Sequence, residues 1–155
     1  MTSIAQLLLL VAPLAQETVP RSFWNFETTT VHPVRVSADG ARLFCVNPPE
    51  GTLEVYSLLD PDEPLLMRSI PVGLEPCSVT ERSSDELWVV DNLSDSVSVV
   101  SLQAGRVIDV LEVGDEPADV CFAGSPERAF VSAAAADEVH VFDARSRLPV
   151  GVIPI

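Results

Sequence analysis

The sequence predicts an all-β protein, a β-propeller built from four-stranded antiparallel blades. The first observation is a repeat, because similar segments begin at Pro33, Pro76 and Pro117, at intervals of 43 and 41 residues. The second is that each repeat contains four short runs rich in Val, Leu and Ile, separated by turn residues. The third is that no 3.6-residue apolar period extends over a helical length. About 40–45 residues and four strands per repeat are typical of a propeller blade, whereas a β-solenoid has shorter coils and a sandwich rarely repeats at a fixed period.

The second repeat shows the four strands most clearly. We predict them at residues 77–81, 86–91, 96–102 and 106–113. In the third of these strands Val97 and Val99 point to one face and Val100 to the other. Short connections between consecutive strands imply antiparallel neighbours. Since one such sheet cannot bury both of its faces alone, we expect successive blades to stack and form the core between them.

The same short motifs recur in the three repeats. They are LFCVN (43–47), LWVVDN (87–92) and AFVSA (129–133), then LEVYSL (53–58), VSVVSL (97–102) and VHVFDA (139–144), then VGLEP (72–76) and VGDEP (113–117). The turn SADG (37–40) is found in the first repeat only. In these motifs the chain resembles the YVTN-type β-propeller repeat of exported bacterial and archaeal proteins, over residues 31–155. The resemblance implies the propeller fold. It points only broadly to function, because that family includes surface-layer and cell-envelope proteins, and related propellers include lactonase-like enzymes and redox proteins.

The repeats divide the chain into blades at residues 33–75, 76–116 and 117–155. Propellers typically have four to eight blades, so we expect this chain to be the N-terminal portion of a longer propeller. The alternative is an open fragment that closes a ring with copies of itself. We expect residues 17–32 to form a lead-in strand, which either completes the last blade or packs on the first.

Three kinds of residue recur at fixed positions in the blades. Phe44, Trp88 and Phe130 share one position, where we expect them to pack between adjacent sheets. Gly73 and Gly114 follow the fourth strand, where we expect glycine to be needed for a positive φ. The prolines that begin the second and third repeats suit the first residue of an innermost strand, where a missing N–H is tolerated.

The first residues of the chain favour export. The run LLLLVA at residues 7–12 is far shorter than the roughly 20 residues that a membrane-spanning helix needs. Its length suits the apolar region of a signal peptide, which we predict over residues 1–16, with small Ala15 near the cleavage point. No basic residue precedes the run, and a buried strand or helix is the alternative. We predict a periplasmic, cell-surface or extracellular protein without a transmembrane segment.

The composition excludes two classes of partner. The chain has 23 acidic and 9 basic residues, a formal net charge of −14. Because so acidic a chain repels phosphate backbones, we expect no nucleic-acid partner. The chain also lacks the basic patch that binds anionic lipids, and we therefore expect no binding to a lipid surface. The three cysteines form no CxxC or CxxCH motif, and we expect Cys45, Cys77 and Cys121 to act as small buried hydrophobic residues rather than as a disulfide or metal site.

Few residues suggest a site. His32 and His140 share no spacing, and we expect structural or solvent-exposed roles for both. We interpret the acidic pairs as solvated loop charge, with calcium binding as the alternative. The acidic groups are Asp60 with Asp62 and Glu63, Asp85 with Glu86, Asp115 with Glu116, and Asp137 with Glu138. Asp119 differs, because it begins an innermost strand and is able to face the central channel. We predict no catalytic, cofactor-binding or metal site, since no GxSxG, HExxH or phosphate-loop motif occurs.

These observations favour a non-enzymatic, exported β-propeller that acts as a binding or interaction scaffold of the cell envelope. We expect it to hold a protein or small-molecule ligand at its loops or channel. The alternative is the N-terminal part of a larger exported enzyme, either a lactonase-like propeller or a propeller fused to a redox domain.

Overall fold

The computed structural model describes residues 29–155, which form three four-stranded antiparallel sheets. The first sheet contains β1 (Val34–Val36), β2 (Arg42–Asn47), β3 (Thr52–Ser57) and β4 (Leu65–Pro71). The second contains β5 (Pro76–Glu81), β6 (Glu86–Asp91), β7 (Ser96–Ser101) and β8 (Arg106–Glu112). The third contains β9 (Pro117–Ala123), β10 (Arg128–Ala133), β11 (Glu138–Asp143) and β12 (Pro149–Pro154). Strands pair in chain order within each sheet, which confirms the predicted four-stranded blades.

Two short 3₁₀ segments, Pro48–Glu50 and Asn92–Ser94, connect the second and third strands of the first two blades. None of the helical segments within residues 29–155 has the length and apolar character to cross a bilayer. The same connection contains a left-handed residue in all three blades: Gly51 (φ 62°), Asp95 (φ 50°) and Asp137 (φ 54°). Glycine adopts this conformation freely, and aspartate is among the few other residues that tolerate it. One turn geometry therefore recurs although its sequence changes.

The core lies between the sheets. The interface of the first and second blades is formed by Phe44, Val46, Leu53, Val55, Ile70, Val79, Leu87, Val89, Val100 and Leu102. The interface of the second and third blades is formed by Cys77, Trp88, Val90, Val97, Val99, Leu111, Val120, Ala129, Val131, Phe142 and Ala144. The predicted alternation in β7 is confirmed, since Val97 and Val99 face the third blade and Val100 faces the first.

The recurrent aromatic position shows how the stack is built. Phe44 and Trp88 are completely buried, each against the following blade. The Trp88 ring meets Phe122 of the third blade edge to face, with ring centroids 5.2 Å apart, an arrangement that aromatic pairs prefer. Phe130 is only half-buried, because the face of the third blade on which it lies has no neighbouring sheet in the described part of the chain. The packing role predicted for this position holds for the first two residues.

The reason predicted for the two linker glycines is wrong. Neither Gly73 nor Gly114 has a positive φ, which occurs two residues later, at Glu75 (49°) and Glu116 (51°). The glycines are required for space instead. A Cβ atom at Gly73 would lie 2.6 Å from the Asp91 side chain, and one at Gly114 would lie 3.0 Å from His140 Nε2. Each linker therefore crosses directly over the next blade.

The lead-in segment reaches the second blade at its described end. Val31 N–H donates to the Cys77 carbonyl, and Val79 N–H donates to the His32 carbonyl, both at 3.0 Å. His32 thereby forms a parallel bridge with Ser78 of β5. The signal peptide predicted at residues 1–16 and most of the predicted lead-in strand lie outside the described residues, so both stay predictions.

Part of the acidic charge is structural rather than solvated. Glu86 has a side chain that is only 12% exposed and pairs with Arg82 (3.2 Å) and Arg147 (2.8 Å). Burial acts to raise the pKa of Glu86, but hydrogen bonds from Trp88 and Arg147, with the charges of Arg147 and Arg82, hold it below its usual value. Asp85 accepts hydrogen bonds from Ser101 Oγ and from the Gln103 N–H. The interpretation of this acidic pair as loop charge is therefore wrong.

Candidate ligand site on the innermost strands

The first strand of each blade begins in the same way. A proline is followed by one apolar or small residue and then by a polar one, in the sequences PVR, PCS and PAD. The polar residues at this shared position are Arg35, Ser78 and Asp119. The first strands also contact one another in space, β1 with β5 and β5 with β9. Three different polar residues therefore lie on neighbouring first strands of the stack.

Asp119 connects the lead-in segment, the second blade and the third blade. Its Oδ2 atom lies 3.0 Å from His32 Nδ1, which precedes β1, and its Oδ1 atom accepts a 2.6 Å hydrogen bond from Ser78 Oγ of β5. The Asp119 N–H donates to Ser132 Oγ at 3.1 Å, which holds the strand against β10. The side chains of Asp119 and His32 are 31% and 63% exposed, so the pair faces solvent.

A cavity of about 340 Å³ opens beside this pair. It is lined by His32, Arg35, Thr80, Glu81, Asp119, Val120, Cys121 and Phe122. Thr80 Oγ1 donates to the Val120 carbonyl at 3.1 Å, and Glu81 Oε2 accepts the Ala38 N–H at 2.6 Å. Arg35 is exposed on this surface. Ligand sites for small molecules typically occupy cavities of about 300–1,000 Å³ with a few convergent polar groups, and this cavity is at the lower end of that range.

The arrangement lacks an activated nucleophile in the described part of the chain. Ser78 is completely buried and donates to Asp119, so the carboxylate, and not a histidine base, lies next to the hydroxyl. Nucleophilic serine catalysis needs the opposite order, with the histidine between serine and acid. Burial raises the pKa of the Cys77 thiol to about 12, helped by the charges of Asp91 and Asp119, so that thiol stays protonated at neutral pH. Neither Ser78 nor Cys77 is therefore an activated nucleophile.

Sequence reasoning located part of this site. The structure places Asp119 on the innermost strand and in the cavity, as its position suggested. It also brings His32 to Asp119, whereas His140 lies in β11, stacked on Phe142 with ring centroids 6.5 Å apart. Arg35 and Ser78 were missed. The sequence feature that indicates them is the polar residue two places after each repeat proline. It is recognised only when the three repeats are aligned position by position.

No group of three or more His, Cys, Asp or Glu side chains within residues 29–155 is placed to hold a metal ion. The cysteines at 45, 77 and 121 have free thiols. Cys77 alone is fully buried, whereas Cys121 is exposed and Cys45 is half-buried, so the expectation of buried thiols is wrong for Cys121.

Three four-stranded sheets stacked face to face, with their first strands innermost, are blades of a β-propeller. Solved structures of similar fold are β-propeller proteins. Hydrazine synthase of Kuenenia stuttgartiensis is 22% identical with a TM-score of 0.72, and the match covers 86% of this chain and 39% of that one. A protein from Bacteroides fragilis described as a candidate 6-phosphogluconolactonase is 16% identical with a TM-score of 0.67, covering 81% and 45%.

A third similar structure is the dihydro-heme d1 dehydrogenase NirN, 18% identical with a TM-score of 0.62, covering 76% of this chain and 26% of that one. At these identities the likeness shows the fold alone. The chain spans less than half the length of each of these proteins. Neither a protein-family profile nor a curated protein sequence matches it.

Proposed function

We propose that this chain is part of an exported YVTN-type propeller that acts as a binding scaffold of the cell envelope, with its ligand held on the innermost strands. One observation carries the proposal: Arg35 of the first blade, Glu81 of the second and Asp119 of the third line one cavity. Binding residues brought together by separate repeats are a common use of repeat folds. The lack of an activated nucleophile among the described residues favours binding over covalent catalysis.

Nuclear magnetic resonance of the full chain tests the binding function. A library of metabolites and short peptides is added to the ¹⁵N-labelled protein, and backbone amide signals are followed. We expect at least one compound to shift amides of β1, β5 and β9 in a saturable way. Amides of the outer strands β4, β8 and β12 serve as the internal control. Saturable shifts confined to the outer strands would contradict a site at the innermost strands.

Export is part of the proposal and is supported by the apolar run near the N-terminus and by the YVTN-type motifs. Expression of the full chain in a Gram-negative host tests it. We expect a periplasmic protein whose measured mass corresponds to the loss of about the first 16 residues. A variant with Leu8 and Leu9 changed to Asp should stay in the cytoplasm at full mass. An unprocessed, cytoplasmic wild-type chain would contradict export.

The second candidate is the N-terminal part of a larger exported enzyme. It is favoured by the His32–Asp119 pair, because a carboxylate on Nδ1 orients the ring and leaves Nε2 for proton transfer. Similar folds include a candidate lactonase and a dehydrogenase. Lactone hydrolysis by the full chain, abolished in His32→Gln, would favour the enzyme. Hydrolysis no faster in the wild-type chain than in His32→Gln would favour the scaffold.

A further inference from the structure

Arg35 is the one arginine that lines the cavity on the innermost strands among residues 29–155, and it has no partner there. Within the described residues, the guanidinium groups of Arg42, Arg68, Arg82, Arg106, Arg128 and Arg147 contact acceptors of the chain. The Arg35 side chain makes no hydrogen bond or ion pair with the described residues, although it lines the cavity. A guanidinium presents five N–H donors in a planar fork that matches a carboxylate. Arg35 is therefore the group in this cavity best suited to bind an anion.

The acidic groups of the cavity are already in use. Both oxygens of Asp119 are engaged, by Ser78 and by His32, and Glu81 accepts the Ala38 N–H. Their charges still act on a ligand, and each further negative charge on that ligand is repelled by them. A multiply charged anion is thus disfavoured, whereas a single carboxylate is able to pair with Arg35. The Asp119 contact leaves His32 Nε2 free to meet a second polar group.

We propose that the cavity binds a small organic monoanion. The carboxylate lies on the Arg35 guanidinium, and a neighbouring polar group lies at His32. The volume of about 340 Å³ limits the ligand to a small molecule. This inference rests on the proposed binding function and makes it specific, because it names the charge and the anchoring group of the ligand.

The two histidines of the chain provide the measurement. The ring signals of His32 and His140 are followed in the full-length protein while sodium lactate is added, with sodium chloride keeping the ionic strength constant. We expect a saturable shift at His32 and none at His140, which lies in β11. Succinate and inorganic phosphate, which carry more charge, should bind at His32 more weakly than lactate. Tighter binding of either would overturn the monoanion assignment.

Two matched variants separate the site from general electrostatics. Arg35→Gln removes the proposed anchor, and Arg145→Gln removes an exposed arginine in the turn between β11 and β12 that also lacks a side-chain partner among the described residues. We expect lactate affinity at His32 to fall at least tenfold in Arg35→Gln and to be unchanged in Arg145→Gln. Equal losses in both variants, or equal shifts at both histidines, would show non-specific screening and overturn the proposal.

The experiment also separates this inference from the function on which it rests. A neutral compound such as glucose or threitol, titrated in the same way, should leave the His32 ring signals unshifted if Arg35 is the anchor. Saturable binding of a neutral compound without any response to lactate would overturn the monoanion assignment and leave the scaffold function in place. Absence of any saturable shift at His32 or at β1, β5 and β9, with every compound, would overturn both.

Discussion

The second blade and its two neighbours are built from the same repeat, yet they differ in burial. In the second blade β7 is buried along its whole length and β6 is buried beyond its first residue. In the first blade the equivalent strands β2 and β3 are buried only at alternate residues, and in the third blade β10 shows the same alternation. The apolar residues of a blade thus become core only when another sheet lies against them. Stability in this molecule belongs to the interfaces between blades rather than to the single blade.

The outer faces of the stack repeat the chemistry of the buried ones. Large apolar side chains are about half exposed there, among them Val34 (55%), Leu66 (49%) and Ile153 (47%). In a closed propeller every blade face meets another blade. The predictions below compare positions that are covered by a neighbouring sheet with positions that are exposed.

The largest difference is expected at the recurrent aromatic position. Trp88→Ala should lower the free energy of unfolding by about 3–5 kcal/mol, because it empties a fully buried volume between the second and third blades. It also removes the ring contacts with Phe122 and Phe142 and the 2.8 Å hydrogen bond from Nε1 to Glu86. Phe130→Ala, at the equivalent position on the open face, should lower the free energy of unfolding by less than about 1.5 kcal/mol. Urea unfolding followed by circular dichroism measures both.

Equal losses in these two variants would break the comparison. A large loss at Phe130 would mean that its face is covered in solution, either by another copy or by a part of the chain outside residues 29–155. The denaturant slope distinguishes a real change of stability from loss of two-state behaviour, since it stays constant in the first case.

The second-largest change in stability is expected at the linker glycines. Gly73→Ala should destabilise the protein by about 1–3 kcal/mol, because the added Cβ would lie 2.6 Å from Asp91 in a packed interface. Gly151→Ala is the matched control on the open third blade, where a Cβ would meet no atom within 4 Å. We expect that control to change stability by less than about 0.5 kcal/mol in thermal and urea unfolding. Equal effects would show that the linker yields and that space at Gly73 is not limiting.

Replacing Asp91 is expected to change stability less than replacing Gly73, and the change depends on pH. This carboxyl is completely buried, its Oδ2 accepts from Ser98 Oγ at 2.6 Å, and its Oδ1 has no hydrogen-bond partner within residues 29–155. Burial raises its pKa from 3.8 to about 6, against hydrogen bonds from Ser98 and the Gly73 N–H. The folded state therefore holds this proton more tightly than the unfolded state. Its contribution to stability is greatest below about pH 4 and is lost as the pH rises towards 6.

Asp91→Asn should remove that decline and stabilise the protein at pH 7 by about 1–2 kcal/mol, since a neutral group replaces a buried charge. Asparagine already occupies the equivalent position of the first blade, at Asn47. Asp62→Asn, in an exposed loop, is the control and should leave the pH profile unchanged. Urea midpoints between pH 4 and 7 are the measurement. An unchanged profile in Asp91→Asn would assign the pH dependence to other groups.

The fold was predictable from the sequence because a propeller repeats its own pattern. The period, the apolar alternation and the turn residues are all local, and they located the strands of the second blade to within one residue at each end. The candidate site was only partly predictable, since it depends on contacts between repeats. The Asp119 side chain meets His32 across 87 positions of the chain, and Asp91 approaches Gly73 of the preceding linker. Spacing within one repeat contains no information about such contacts, and for that reason the linker glycines were assigned the wrong role.

The smallest effect is expected in the wild-type chain, as a difference in the labelling rates of its three cysteines. Cys77 lies between the second and third blades, whereas Cys121 lies on the open face of the third blade and Cys45 on the open face of the first. Burial raises the pKa of Cys77 to about 12 and also raises that of Cys45, where Glu54 adds to the effect. Because the thiolate is the reactive form, iodoacetamide should label Cys121 first, Cys45 more slowly and Cys77 only on unfolding. Mass spectrometry of timed samples gives the three rates. If Cys45 and Cys121 are both protected and the protection disappears on dilution, two copies of the chain cover each other's open faces. The difference in burial between the middle and outer blades would then exist only in the monomer.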